Sequence, residues 1–183
     1  MFGWMSVEAV AEAFKRFLKG VEVEYENSQS QVILSTDVQR LSFLGQVLEN
    51  LKAGAPLRLY RWAAKKLVEA GIARPSEKVL DQRNILQLEW RERNNSRELQ
   101  PAPEFFYLKV LEEAREGDFK ELLPRIEDIY SMRLNKLLAL AAKRVSPRMV
   151  ENITQEERFL YQAILAIVEE WFRFVGAWGG EKG

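Results

Sequence analysis

The strongest constraint on how this chain folds is a change of hydrophobic period along it. Before Pro75, two-residue and helical spacings both occur; after it, no strand period remains. Period two builds sheet and period 3.6 builds helix, so the two structure types are predicted to be segregated along the chain. The predicted class is α+β: a small β-containing domain over residues 1–75, then a larger all-α helical-bundle domain over 76–183.

In the first part, Ser6 reads as an N-cap. Val7, Val10, Ala11, Phe14, Phe17 and Leu18 follow at helical spacing until Gly20. Val21, Val23 and Tyr25 then alternate with Glu22, Glu24 and Glu26, which predicts a half-buried strand. Residues 27–30 read as a turn and 31–35 as the returning strand, while 37–50 is ambiguous, with room for a short helix through Phe43, Val47 and Leu51. Leu57–Tyr60 is a third strand, 61–70 a helix closed by Gly71, and Arg74-Pro75-Ser76 a boundary.

The second part reads as helices throughout. Ser76 is placed as the cap of one helix through Val79, Leu80, Leu86 and Trp90. Pro101 and Pro103 open the next, with Phe105, Phe106 and Tyr107 in its first turn and Gly117 at its end. One helical stripe cannot hold three consecutive aromatics, so at least one should face a second surface. Asp118 with Glu121 has capping-box spacing, and Pro124 suits the first turn of a long helix. That helix carries Ile126, Ile129, Tyr130, Leu134, Leu137, Leu138 and Ala141 on a broad face and stops at Ser146-Pro147. Thr154 with Glu157 is a second capping-box spacing, ahead of Leu160, Ile164, Leu165, Val168, Trp171 and Phe172, with Gly176 and Gly179-Gly180 ending order.

Histidine and cysteine are both absent. Their absence removes Ser-His-Asp and Cys-His nucleophiles, thiol redox chemistry and zinc sites, and it favours a binding protein over an enzyme. Carboxylate pairs such as Glu112/Glu113, Glu127/Asp128 and Glu169/Glu170 diverge by about 100° on a helix, so they read as solvated faces and not as metal or catalytic groups. No phosphate-binding loop is present, and no cofactor is expected. Formal net charge is zero, from 27 basic and 27 acidic residues, without the field of a dedicated nucleic-acid binder. No apolar run is long enough to span a membrane, and the expected location is cytoplasmic.

Two sets of residues remain as binding candidates. Arg58, Arg61, Lys65 and Lys66 beside Trp62 form a basic cluster that suits weak nucleic-acid contact, against the simpler reading that Trp62 packs inward with Leu67. Arg91, Arg93 and Arg97, alternating with Glu92 and Glu98, read as a salt-bridge lattice. The helical part is rich in aromatics, and these are enriched at contact surfaces. The candidate interface is therefore Phe105, Phe106, Tyr107, Tyr130, Leu134, Leu137, Leu138, Ile164, Val168 and Trp171.

Three stretches carry a resemblance. Gly54-Ala55-Pro56-Leu57-Arg58-Leu59-Tyr60 followed by Trp62 to Leu67 makes a strand-to-helix step, and Glu98 to Tyr107 makes a Pro-x-Pro-x-aromatic segment. Asp128, Arg133, Lys136 and Leu137 precede Asn152-Ile153-Thr154-Gln155-Glu156-Glu157 and Leu160-Tyr161. In order and spacing these resemble subunits of the archaeal GINS complex, of the type with the small domain first, similar to eukaryotic Psf-two and Psf-three subunits. The similarity covers most of residues 55–175. It implies a non-catalytic replisome scaffold that pairs with a complementary GINS subunit as a two-plus-two heterotetramer. The same resemblance implies partnership with the MCM helicase and a Cdc45/RecJ-like protein, contacts to primase or replicative polymerase, and a nucleoid-associated location. The alternatives are a stand-alone DNA-binding or helical adaptor module, or a magnesium-dependent carboxylate enzyme.

Overall fold

A computed structural model describes residues 7–76, 80–116 and 120–177. Among these residues, eleven α-helices and strands follow in order: α1 (Val7–Glu26), β1 (Gln29–Leu34), β2 (Val38–Phe43), β3 (Gln46–Leu51), β4 (Pro56–Tyr60), α2 (Arg61–Glu69), β5 (Ala73–Pro75), α3 (Gln82–Asn94), α4 (Phe106–Glu116), α5 (Leu123–Ala142) and α6 (Gln155–Ala177). The class is α+β as expected. The described residues form two compact units, one within residues 20–79 and one within residues 1–19 and 80–183.

In the β-containing unit, antiparallel β4, β1 and β5 form a sheet in that order. Val32, Leu34 and Leu59 from its inner face join Ala63, Ala64 and Leu67 of α2 in one buried cluster. Two expectations fail here. The predicted strand through Val21, Val23 and Tyr25 is the last part of α1, which runs on past Gly20. Val21 and Tyr25 also stand seven and eleven residues after Phe14, so they continue a helical face, and both are buried while Val23 is exposed. The segment open to a short helix is instead the hairpin β2–β3, paired Phe43↔Gln46 across Leu44-Gly45. Both turn residues have positive φ, 47° and 77°, the combination that a type I′ two-residue hairpin requires.

The helical unit has two apolar clusters strung along α5. Ile126 and Ile129 join Ile85, Leu88, Phe106 and Val110; Leu137 and Ala141 join Leu99, Tyr161 and Leu165. Phe14 and Phe17 of α1 both stack on Phe159 of α6, with ring centroids 5.8 and 4.9 Å apart. Pro124 sits in the first turn of α5 as predicted. The capping box of α6 forms, with Thr154 N–H donating to Glu157 Oε2 at 2.9 Å and Glu157 N–H donating to Thr154 Oγ1 at 3.3 Å.

Several helix ends differ from expectation. Ser76 donates its N–H to Gln31 O as part of the sheet, and Asp81 caps α3 by accepting from Arg83 N–H. The prolines at 101 and 103 lead an irregular segment, and α4 begins at Phe106, just after Phe105 takes φ 53°. Gly176 lies inside α6. The expected roles of Ser6, Val79, Gly117, Asp118 and Gly179-Gly180 fall outside the described residues. No helix among the described residues is long and apolar enough to cross a membrane.

Candidate interaction surface

The middle of α5 is polar where a helix of this kind is usually greasiest. Arg133 lies one turn from Ile129 and one from Leu137, and it is 0% exposed. Its Nε and Nη2 donate to Glu157 at 2.6 and 2.7 Å, its Nη1 donates to Glu92 Oε1 at 2.5 Å, and the carbonyls of Gln100 and Asn152 accept at 2.9 Å. All five guanidinium N–H groups are thus occupied. Lys136 donates to the Glu92 carboxylate and to the carbonyls of Glu92 and Glu98, using all three of its donors. Two cations and two carboxylates cancel within the helical unit, which is the condition under which buried charge is tolerated.

The electrostatics follow from that geometry. Burial alone drives the Glu157 carboxyl upward, yet the bonds from Arg133 and Tyr107 outweigh it and hold the group below the usual carboxylate value. Burial, then the adjacent Glu157 charge, pushes the Tyr107 hydroxyl far up, and this hydroxyl donates to Glu157 Oε1 at 2.5 Å. Tyr130 is pushed up to about 12 by burial and by Glu156. Glu156 is buried and neither oxygen has a hydrogen-bond partner among the described residues; it lies in the first turn of α6, where the helix dipole favours an anion.

Arg133, Lys136, Asn152, Thr154, Glu157 and Tyr107 are positions on which the resemblance rests, and every one of them belongs to this clasp. Their spacing therefore encodes an internal lock joining α3, α5, α6 and the segment before α4. The three aromatics at 105–107 are likewise internal. Phe105 and Phe106 are buried, and Tyr107 reaches the clasp while its ring lies 4.9 Å from Tyr130. The second surface expected for them is inside the same unit. Leu137 is buried too, and Ile164 packs partly into the cluster around Tyr161.

What stays outside is a different set. On α5, Leu123, Leu134 and Leu138 are exposed within about 60° of arc. On α6, Ile167, Trp171, Phe174 and Val175 are exposed, and with half-buried Ile164 they share about 100° of arc. Ile167 and Trp171 are 64% and 59% exposed, and the Trp171 and Phe174 rings lie 6.1 Å apart. Val168 is half-buried beside this stripe. Of the interface set expected from the sequence, then, Leu134, Leu138 and Trp171 reach the surface, and Ile167, Phe174 and Val175 join them from outside that set.

The predicted basic cluster does not assemble. Arg61 is buried with its guanidinium carbon 4.3 Å from the centre of the Tyr25 ring, Lys65 pairs with Glu26 at 2.7 Å, and Lys66 pairs with Glu69 at 2.7 Å. Arg58 alone of the four faces out from the sheet without an ion pair among the described residues. Trp62 does not pack inward with Leu67; it is exposed, its ring 5.2 Å from Phe43. The lattice expected over 91–98 is also rearranged, because Glu92 turns inward to Arg133 and Lys136 while Arg93 bonds Glu89 and Asp128. Among the described residues, no group of three acidic side chains is placed to hold a metal ion. Compared with protein-family models and with curated proteins, the chain matches none.

Proposed function

We propose that the protein is a non-catalytic, GINS-like subunit that scaffolds a replicative helicase assembly. The observation that carries this reading is the exposed apolar stripe on α6, extended by Leu134 and Leu138 on α5. Apolar side chains regularly spaced along a long helix are what a helix-packing partner buries, and Trp is enriched among residues that dominate such interfaces. The resemblance supplies the identity of the partner: a complementary GINS subunit in a two-plus-two heterotetramer, which then joins the MCM helicase and a Cdc45/RecJ-like protein. Contacts to primase or replicative polymerase belong to the same proposal. The clasp fits a scaffold because it fixes the relative positions of α3, α5 and α6, and with them the stripe.

Co-expression with a complementary subunit tests the reading. A stoichiometric complex of two-plus-two mass by light scattering is expected. A stable monomer that ignores that partner would sink it.

A further inference from the structure

The outer face of the three-stranded sheet is unaccounted for by a scaffold built on α5 and α6. Strand register places its residues. Gln29 stands opposite Tyr60, Gln31 opposite Arg58, and Ile33 opposite both Pro56 and Arg74. Residues directly opposite in a ladder share a face, so these form one surface. The alternate residues Val32, Leu34, Leu57 and Leu59 turn to the core. Gln29, Gln31, Arg58, Tyr60 and Arg74 are all exposed.

Three properties set this face apart. Among the described residues it holds two arginines and no acidic residue, and neither arginine has an ion pair. Strand geometry puts the two arginine Cα atoms about 12 Å apart, two strands across and two residues along. An aromatic row leads from its edge: the Tyr60 ring lies 6.1 Å from Phe43, which is half-buried against the inner cluster, and Phe43 lies 5.2 Å from the exposed Trp62.

We infer that this face is a binding platform for single-stranded nucleic acid, independent of the assembly proposed for the helical unit. Arg58 and Arg74 supply phosphate contacts, Tyr60 and Trp62 supply ring faces for unstacked bases, and Gln29 and Gln31 supply amides for base edges. A paired duplex hides its ring faces and has no use for the aromatic row, so single strands are preferred. An acidic peptide would satisfy the arginines but leave that row unused. With a net charge of zero, the chain has no long-range field to add, and binding rests on the platform itself.

The test is fluorescence anisotropy of the full chain with labelled oligo-dT, oligo-rU and a matched duplex at about 50 mM salt. Both single strands are expected to bind more tightly than the duplex, and the tighter of the two names the preferred nucleic acid. The double variant R58A/R74A should weaken binding at least about tenfold and flatten the salt dependence by about 1.4 in the log–log slope. Tyr60→Leu, which keeps a bulky apolar group, should cost about tenfold. The control R16A/R148A removes the same charge from exposed positions elsewhere and should leave binding unchanged. No binding, equal binding of duplex, or equal loss in the control would each overturn the inference. Circular dichroism of each variant separates lost binding from lost fold.

Discussion

Arg133 and Arg58 show how differently the two units use one residue type. In the helical unit Arg133 is fully buried and every donor it has is occupied. In the β-containing unit Arg58 stands on an open sheet face, and the interior beneath it is apolar. Charge inside the helical unit specifies which helices meet and at what height, since a one-turn slip would leave Arg133 or Glu92 unpaired. Charge on the sheet specifies nothing about the fold and is available to a ligand. The buried charge of the helical unit thus holds a shape, while the charge on the sheet stands at the surface.

The largest expected effect breaks the clasp. Arg133→Met leaves Glu157 and Glu92 buried without their main partner and should cost about 3–5 kcal/mol, read by thermal or urea unfolding. An effect below about 1 kcal/mol would mean that the clasp does not organise the unit. Next comes a contrast between neighbours on α5. Leu137→Asp buries a charge and should unfold the helical unit. Leu138→Asp, one residue on, should change stability within about 0.5 kcal/mol and act only on assembly.

The clasp also sets an acid limit. Because the folded pKa of Glu157 is lowered, the unfolded chain takes up a proton more readily. The stabilisation is then complete above the ordinary value of 4.5 and is lost as pH falls below it. The slope is about 1.4 kcal/mol per pH unit at most for this group. Arg133→Met should remove that slope, and an unchanged acid limb would assign it to other carboxylates. The smallest effects are local. Leu44→Asn should stabilise the hairpin by about 1 kcal/mol, because Asn tolerates the positive φ that Leu44 is held in. Gly20→Ala, where an added Cβ meets nothing within 4 Å, should add about 0.5–1 kcal/mol to a helix that runs through it.

These particulars explain what is legible in the sequence. Capping and proline signals are local, so the start of α5 at Pro124 and the Thr154–Glu157 box can be read directly. The hairpin is hidden because Leu44-Gly45 lacks the usual Asn or Asp ahead of its glycine. The last part of α1 mimics a strand because Val21 and Tyr25 satisfy both periods, and Gly20 resembles a stop. On α3 the buried face is Ile85, Leu88, Glu89 and Glu92, so hydrophobicity points to Leu86 and Trp90, which are exposed. Only the cations on α5 make that face intelligible, and Arg133 and Lys136 lie 41 and 44 positions beyond Glu92. For the interface, composition cannot separate Leu137 from Leu138, since one residue of helical phase decides which is buried.

Assembly is expected to run through the exposed stripe on α6 and α5, and not through the buried clasp. The most direct measurement is the mass, by light scattering, of the L138D/W171D variant co-expressed with a complementary subunit, alongside its circular dichroism and melting temperature. Native helicity and stability are expected, with the two-plus-two complex lost to free monomer. A variant that folds normally and still forms the full complex would place the assembly surface elsewhere.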